Sequence, residues 1–474
     1  MSDTRTRDMT TGTPLKLMLS FMVPLIFGLL FQQLYSMVDT VVVGNFLGVD
    51  ALAGVGSTGS VNFLVLGLCN GICAGFAIPV SHKFGEKDFD GLRRFVGNMI
   101  WLAAGIAILV TAVTTALCGR ILTWMGTPEE VFDYAYNYIF VIFLGIPATM
   151  LYNLLSGILR SLGDSRTPLI FLILSSLLNV GMDILFILVF RMGVAGAGWA
   201  TLLAQLISGL CCLVYMARRF PILRLSKSDL IPGKMYVKKL LIMGLPMGLQ
   251  YSITAIGSIL IQTAVNGLGP AAMAAITAAN KVSMLCCCPF DAMGTTAATF
   301  AGQNLGAGKP ERVHRGVRAC ALVGIIYSVA ICLVLYFWSG NLITLFLDPE
   351  DAVVADQIIP MSRQYLLTSA LMYIPLVFVY LLRFTIQGLG YSDLAVFAGV
   401  FEMVARGVVA LCLVPAFGFQ AVCLASPAAW VLADLFLFPA YFLCLKKRGY
   451  RPLKARRRIS GNCINPQKQE EIIS

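Results

Sequence analysis

Asn179 and Asp183 are the only polar side chains in the stretch LLNVGMDILFI, residues 177 to 187. Their spacing of four residues places the amide and the carboxylate on one face of a helix. Asp39 and Thr201 also interrupt apolar runs elsewhere in the chain. Two carboxylates, an amide and a hydroxyl would supply only oxygen ligands, which suits a hard cation such as Na⁺. Alternatively, two close carboxylates could share a proton, because both cannot easily be ionised together.

The runs that carry these residues are long enough to cross a membrane. Of the 474 residues, 58% are hydrophobic and only 12% are charged, far from the composition of a soluble domain. A helix of about 20 apolar residues spans the ~30 Å hydrocarbon core. We therefore predict an all-α integral membrane protein with twelve transmembrane helices. Their approximate positions are 17–43, 53–80, 96–118, 132–158, 168–190, 194–217, 240–266, 271–299, 317–338, 358–388, 394–416 and 419–444.

Basic residues are concentrated in every second connection between the predicted helices. The other connections carry few cations, and two are acidic: GTPEEVFD at 126–133 and LDPEDAVVAD at 347–356. The positive-inside rule therefore predicts a multi-pass cell-membrane protein with both termini in the cytoplasm. The net charge of +11 needs no nucleic-acid partner, because it lies where lipid headgroups are. The basic connections contain Lys83, Lys87, Arg93, Arg94, Arg160, Arg166, Arg218, Arg219, Arg224, Lys227, Lys234, Lys238, Lys239, Lys309, Arg312, Arg315 and Arg318.

Counting along the helices predicts the depth of the polar residues. At 1.5 Å per residue from a cytoplasmic start near Pro168, Asp183 lies about 22 Å into the membrane. Asp39 reaches a similar depth near the outer end of helix 1, and Thr201 lies roughly 10 Å below the outer start of helix 6. An acid at this depth is costly, and no Lys or Arg of these helices is at that level, which favours a functional role. A static hydrogen-bonding role, or access to interfacial water, is the alternative.

The chain contains an internal repeat. A shift of 221 residues aligns NFLGVDALAG (45–54) with NGLGPAAMAA (266–275), and SHKFGEKD (81–88) with GQNLGAGK (302–309). Each half holds six helices and so has the same orientation, with substrate sites usually at the interface of such repeats. The predicted organisation is an N-terminal six-helix lobe at 1–217, a basic cytoplasmic linker at 218–239, a C-terminal six-helix lobe at 240–445 and a basic cytoplasmic tail at 446–474.

Several motifs together resemble the multidrug and toxic compound extrusion (MATE) family over residues 14–445. They are PLIFGLLFQQLYSMVDTVVVGNFLG, the GLP start of helix 7, QNLGAGKPER, the two LG-x-S loops and GVAGAGWAT at the entry to helix 6. The resemblance implies two pseudo-symmetric six-helix lobes that form a V around a central cavity. It also implies an antiporter that exports organic cations or other amphipathic compounds in exchange for Na⁺ or H⁺. In one branch of the family, residues matching Asp39, Asn179, Asp183 and Thr201 form the cation-linked site.

The second half departs from this pattern. Glu402 and Arg406 fall near the places of Asn179 and Asp183 in the repeat, and Leu260 or Ile261 stands opposite Asp39. An i, i+4 ion pair neutralises itself and would hold no Na⁺ on its own. We therefore predict that the coupling site lies in the first half only. The alternative for Glu402 and Arg406 is a bridge that stabilises the lobe.

Two further cations fall within apolar helices. Lys281 lies roughly 15 Å into helix 8, where a cation is expensive unless it is paired or lines water. Glu402 or Asp291 could be its partner. Arg383 falls close to the cytoplasmic end of helix 10, where we expect its side chain to snorkel to the interface.

Other polar residues could project into a substrate cavity, although a core or lipid-facing position is the alternative for each. A Met-rich, adaptable wall suits varied amphipathic ligands. We expect a monomer that acts on a small amphipathic, cationic substrate, with the lipid bilayer as its surroundings and no cofactor apart from Na⁺ or H⁺ as the coupling ion. The predicted cavity residues are Gln32, Tyr35, Asn62, Asn153, Gln250 and Lys281.

Other functional classes have weaker support. His82 and His314 fall in predicted cytoplasmic loops without metal-ligand or catalytic-triad spacing, and GQNLGAGKPE lacks the P-loop pattern, so we predict no enzyme. A lipid-linked oligosaccharide flippase of related architecture would need a more cationic cavity, whereas Lys281 and Arg406 are the only deep cations expected. A passive channel or a receptor is more distant. The expected mechanism is alternating access by rocking of the lobes, with bending of helix 1 at Pro24 as the coupling step.

Overall fold

Nearly all of the chain that the structure describes is helical. The structure is a computed structural model that describes residues 6–346 and 354–450, and these two ranges contain no β-strand. Among the described residues, ten single helices and two bent pairs are long and apolar enough to cross a membrane, which gives twelve spans when each pair counts as one. Part of the predicted acidic loop, 347–353, and most of the predicted basic tail, 451–474, lie outside the described residues.

We number the spans α1 to α12 in chain order, and each contains or closely overlaps the segment predicted from hydropathy. The two bent spans, α4 and α10, change direction by 47° and 55° at a short break. The spans are α1 Pro14–Leu47, α2 Asp50–Glu86, α3 Phe89–Ala116, α4 Glu129–Leu144 and Ile146–Ser161, α5 Arg166–Val189, α6 Val194–Arg219, α7 Lys234–Asn266, α8 Pro270–Gly306, α9 Pro310–Ile343, α10 Asp356–Leu371 and Tyr373–Gly388, α11 Ser392–Phe417 and α12 Phe419–Lys447.

Equivalent helices of the two halves share the same irregularities. Both α5 and α11 contain a five-residue π-helical segment near one end, at Leu185–Val189 and Val409–Leu413. The helix that follows begins after a glycine with positive φ in each case, 62° at Gly193 and 58° at Gly418. A positive φ is a conformation that glycine adopts without steric cost. The matching defects support the predicted pair of pseudo-symmetric lobes.

Each half has its own hydrophobic core. Side chains of α2, α3, α4 and α6 build the first, which includes the fully buried Phe95 and Phe143. Side chains of α8 to α12 build the second, which includes Phe290 and Leu437. Because lipid is as apolar as these side chains, close van der Waals packing between the helices stabilises each core, and loss of water contact contributes little. The lobe boundaries derived from the sequence stay a prediction.

Helix α1 contributes to the packing of both lobes. Met18 and Phe21, near its start, belong to the hydrophobic core of the second half. Val42 and Val43, near its end, pack with Tyr138 and other residues of the first half. Any change in the relative position of the lobes must therefore move or bend α1.

The lobes meet along α2 and α7, on the side that carries the basic loops. A Cβ atom at Gly71 would lie 2.5 Å from the carbonyl oxygen of Met247, and one at Gly75 would lie 2.5 Å from that of Met243. No side chain fits between these backbones, so glycine permits their close approach. The two lobes thus form a V that is closed at the basic-loop end.

Candidate cation site and cavity

Asp39 of α1 and Asp183 of α5 lie next to each other. The two helices pack together, and the two carboxyl groups are within hydrogen-bonding reach of each other. Asp183 is fully buried. In the described part of the chain, no N–H or O–H group donates to either oxygen of Asp183 or to Oδ1 of Asp39. The carboxyl groups can therefore bond to each other only when one carries a proton, and otherwise a cation must compensate their charge.

Asn179 and Thr201 complete the set of four predicted ligands. Nδ2 of Asn179 donates a 3.2 Å hydrogen bond to Oγ1 of Thr201, which joins α5 to α6. This bond leaves Oδ1 of Asn179 buried and without a donor. Asn179 precedes Asp183 by one helical turn on the same face. The structure thus gathers the four residues, with several oxygen atoms free to bind a cation.

Two tyrosines flank the acids. Tyr35 lies one turn before Asp39 on α1, and Tyr138 reaches the site from α4. Both acids are electrostatic neighbours of each tyrosine. Tyr138 was not predicted as a site residue, because its position on α4 depends on how that helix packs. Its tyrosine type in an apolar helix was the available signal, since buried tyrosines usually hydrogen-bond.

A cavity of about 260 Å³ opens beside this site. It is formed by helices of the first half, and Asp39 and Thr201 are part of its wall. Of the six predicted cavity residues, four line it: Gln32, Tyr35, Asn62 and Asn153.

A second cavity, of about 250 Å³, extends the first toward the other lobe. The two cavities share Gln32, Asn70 and Asn153, and the second also contacts Tyr251 and Phe384 of the second half. Together they fall in the range of about 300–1,000 Å³ that is usual for small-molecule sites. The arrangement can therefore hold a small molecule between the lobes and next to the acids.

The comparisons with known proteins agree with this arrangement. The family model described as MatE matches residues 24–185 and 246–412, which include both acids and most of each half. These residues make up more than half of the chain. The chain belongs to the MatE family. Because members of this family are transporters, this MATE protein is a membrane transporter and not an enzyme.

Individual relatives cover most of the MATE chain. It is 30% identical to the probable multidrug resistance protein YpnP of Bacillus subtilis over 370 aligned residues. The alignment covers 77% of this chain and 80% of the relative. It is 22% identical to a FAD transporter of Shewanella oneidensis over 340 aligned residues, which cover 71% of this chain and 75% of that transporter. A solved outward-facing structure of a multidrug resistance MATE family transporter superposes with a TM-score of 0.86 over 94% of this chain and 99% of that chain, at 22% identity. The superposition shows the fold.

Two of the predicted cavity residues of this MATE transporter lie elsewhere. Gln250 is buried within the second half, where its Oε1 accepts a 2.7 Å hydrogen bond from Nε2 of Gln387. Neither Gln250 nor Lys281 is among the residues that line the two cavities. Lys281 also forms no ion pair with Glu402 or Asp291, the partners suggested by the sequence.

The ion pair predicted in the second half contains a third residue. Nη2 of Arg406 lies 3.5 Å from Oε2 of Glu402, and Arg383 pairs with the other oxygen of the same carboxylate. The expectation that Arg383 snorkels to the interface is wrong, because the residue is only 7% exposed and its side chain pairs with Glu402 of α11. Asp434 of α12 is an electrostatic neighbour of Arg383 and has a buried oxygen without a hydrogen-bond donor. The sequence did not predict Asp434 as part of this cluster.

Three residues assigned to loops lie in helices instead. His82 is buried near the end of α2, where its Nε2 is 2.7 Å from the carbonyl oxygen of Gly388. Nδ1 of His314 on α9 is 3.0 Å from the hydroxyl of Tyr441. Arg160 lies on α4 and lines both cavities. The expectation that Lys281 and Arg406 are the only deep cations is therefore wrong. Arg160 is a further one, because its helix extends beyond the most apolar segment.

Proposed function

We propose that this MATE transporter is a secondary active multidrug efflux antiporter that exchanges small amphipathic substrates for Na⁺ or H⁺. The observation that carries the proposal is the contact between Asp39 and Asp183, whose buried oxygens lack donors. Neither acid takes part in an ion pair within residues 6–346 and 354–450. Two adjacent acids in an apolar setting are stable when they take up a proton or a metal cation, which is the chemistry of a coupling site.

The position of Asp39 explains how ion and substrate influence each other. Asp39 lines the cavity, so that its charge contributes to the cavity wall. An ionised Asp39 attracts a positively charged group of a substrate. When Asp39 has bound the coupling ion, its charge is compensated and this attraction is lost. Binding of the coupling ion and binding of the substrate are therefore antagonistic, and the antagonism is reciprocal because both are linked equilibria.

The lobes alternate between two states in this proposal. By the positive-inside rule the basic-loop end faces the cytoplasm, together with both termini, in the cell membrane. The V is closed at the basic-loop end. In the proposal, the coupling ion enters this state of the protein from outside the cell. Ion uptake at Asp39 releases the substrate outward, and the lobes then rock to open the cytoplasmic side.

Helix α1 is suited to couple these events. Pro24 lines the cavity and lies inside α1, where it has no N–H to donate to the carbonyl group of Ser20. Residues before Pro24 pack in the core of the second half, and residues after Asp39 pack in the first half. Bending at Pro24 after ion uptake would change the relation between the lobes.

One chain supplies the whole proposed site, which fits a monomer. Coupling lies in the first half, because Glu402 in the second half is paired with Arg383 and Arg406. The two cavity linings contain one cationic side chain, that of Arg160, and one acidic side chain, that of Asp39. A pyrophosphate of a lipid-linked oligosaccharide would need more positive charge, so the flippase alternative has less support.

A transport assay in vesicles tests the proposal. Purified protein is reconstituted with a fluorescent amphipathic dye, and a Na⁺ gradient or a pH gradient is imposed separately. We expect the dye to move against its own gradient under one of the two, and to stop when an ionophore dissipates that gradient. Dye flux that follows only the dye gradient under all conditions would indicate a channel and contradict the antiporter.

A further inference from the structure

The first half also carries a long apolar groove that shares no lining residue with the two cavities. The groove has a volume of about 670 Å³ and is formed by α3, the second part of α4 and α6, together with the start of the linker. Along α3 it runs from Val96 to Ile108, which corresponds to about 18 Å at 1.5 Å per residue. One leaflet accounts for about 15 Å of the ~30 Å hydrocarbon core. The groove is therefore about as long as one leaflet is thick.

Different elements close the two ends of the groove. At the end away from the basic loops, Pro147 lines the groove just after the break in α4, and the first part of α4 contacts both α3 and α6. At the basic-loop end, the short 3-10 helix Pro221–Leu223 of the linker contacts α3 and α6. The groove thus begins at the membrane surface beside the basic loops and ends near the middle of the membrane.

Positive charge is concentrated at the basic-loop end of the groove. Arg224 lines the groove there and is exposed, whereas all other residues that line the groove are apolar. Arg218, Arg219 and Lys227 are exposed on the same stretch of chain, and residues 218–228 contain no acid. Within the part of the chain that the structure describes, none of these four cations forms an ion pair. Their charge is therefore available to an anion at the membrane surface.

The linker that carries Arg224 is held firmly against α3. Oδ1 of Asn98 accepts a 2.9 Å hydrogen bond from the backbone N–H of Gly233, and Nε1 of Trp101 donates a 2.9 Å bond to the carbonyl oxygen of Leu230. A Cβ atom at Gly97 would lie 2.2 Å from the carbonyl oxygen of Asp229, so glycine permits the close approach of the two backbones. Arg224 thus belongs to a segment whose position relative to the groove is fixed.

We propose that this groove binds an anionic phospholipid from the leaflet beside the basic loops, with an acyl chain along α3, α4 and α6 and the phosphate group at Arg224. By the positive-inside rule this is the cytoplasmic leaflet, whose anionic lipids attract basic segments next to membrane helices. A free phosphate ion would leave the apolar length of the groove unfilled, so the occupant is a lipid. Such a lipid connects three helices of the first half to the linker, and it does not take part in ion coupling.

Photolabelling with two lipids that differ only in charge tests the proposal. The purified transporter is placed in phosphatidylcholine nanodiscs that contain a small fraction of either phosphatidylglycerol or phosphatidylcholine with a diazirine on one acyl chain, and the labelled residues are mapped by mass spectrometry. We expect phosphatidylglycerol to label the groove about fivefold more strongly, the size of one arginine near a lipid surface. Arg224→Gln should remove this excess, whereas Arg224→Lys should keep most of it because the charge stays.

A matched arginine variant serves as the control for Arg224. Arg315→Gln removes an exposed arginine near the start of α9, outside the groove, and should leave the excess of phosphatidylglycerol unchanged. Equal labelling by the two lipids, whatever residue stands at position 224, would show only the ordinary lipid surroundings of a membrane protein and overturn the proposal.

A second pair of variants tests the apolar part of the groove. Ala104 on α3 is exposed and lines the groove, so that Ala104→Trp places a large side chain where the acyl chain would lie. Labelling of the other groove residues should fall about fivefold or more. Ala112→Trp alters an exposed alanine of the same helix outside the groove and should have no effect. Labelling that is the same in both tryptophan variants would contradict an acyl chain in the groove.

Thermal unfolding in detergent gives a readout that does not depend on the photolabel. A ligand that binds only the folded protein raises its unfolding midpoint, so phosphatidylglycerol should raise the midpoint more than phosphatidylcholine does. This difference should disappear in Arg224→Gln and persist in Arg315→Gln. Displacement of the photolabel by a fluorescent amphipathic dye would instead assign the groove to transported molecules, and would overturn the proposal of a resident lipid.

Discussion

His82 of α2 and Gly388 of α10 connect the two lobes, with the imidazole Nε2 2.7 Å from the glycine carbonyl oxygen. The fully buried side chain of Gln303 forms a similar connection nearby. Its Oε1 accepts a 2.9 Å hydrogen bond from the backbone N–H of Met9, and its Nε2 donates a 2.8 Å bond to the carbonyl oxygen of Ser161. These bonds lie at the closed end of the V and must break when the lobes rock.

Gln303→Ala should shift the protein toward the state that is open at the basic-loop end. It removes two hydrogen bonds of about 1 kcal/mol net each, which predicts a shift in the equilibrium of roughly tenfold or more. Energy transfer between fluorophores placed at the exposed Lys87 and Arg315 measures the opening. Gln262→Ala, an exposed change on α7 away from this contact, serves as the control. An unaltered distance distribution in Gln303→Ala would show that the amide does not hold the lobes together.

Pro24→Ala should uncouple ion uptake from substrate release. Alanine restores the N–H that can bond to the carbonyl of Ser20, which favours a straight α1 by about 1 kcal/mol, or roughly fivefold. We expect ion-driven dye efflux to fall while dye binding in nanodiscs is retained. Efflux equal to that of the unmodified protein would remove bending at Pro24 from the mechanism.

Glu402→Gln should destabilise the protein. The change leaves Arg383 and Arg406 buried without a full negative charge, and loss of one partner of a buried ion pair costs about 3–5 kcal/mol. The midpoint of thermal unfolding in detergent should fall by more than about 5 °C. Glu130→Gln, which alters an exposed acid at the start of α4, should leave the midpoint nearly unchanged. Identical midpoints for the two variants would argue against a structural role of the three-residue cluster.

Thr201→Val should weaken the binding of the coupling ion. Valine keeps the shape of threonine but removes the hydroxyl that accepts a hydrogen bond from the side-chain amide of Asn179. The loss of about 1 kcal/mol predicts a roughly fivefold higher ion concentration at half-maximal efflux. A titration of efflux against the driving ion measures it, with the exposed Thr263→Val as the matched control. Should both variants titrate alike, Thr201 would not belong to the site.

The helices could be predicted because they depend on local sequence. Apolar runs long enough for the bilayer determine where helices form. The fixed rise per residue determines the depth of Asp39, Asp183 and Thr201 once a helix start is known. The contact of Asp39 with Asp183 also required α1 to pack against α5, which the family resemblance implied and composition did not.

The errors have two physical causes, which are helix ends that lie beyond the apolar segment and contacts between helices. Arg160 and His82 are close to the ends of helices that continue past the apolar segment, so counting apolar residues assigned them to loops. Arg383 is buried because α10 lies beside Glu402 of α11, a neighbour that hydropathy cannot identify. Gln250 was expected in the cavity, but its partner Gln387 holds it within the second half. Contacts between helices decide the positions of Arg383 and Gln250.

The central claim is that Asp39 and Asp183 bind and release the coupling ion. The most direct measurement compares gradient-driven dye efflux in reconstituted vesicles for the unmodified protein, Asp39→Asn and Asp183→Asn, at matched expression and folding. Each substitution removes the negative charge that the ion compensates, so we expect ion-driven efflux to be abolished in both variants while the protein stays folded. Efflux at the unmodified rate in both variants would contradict the account.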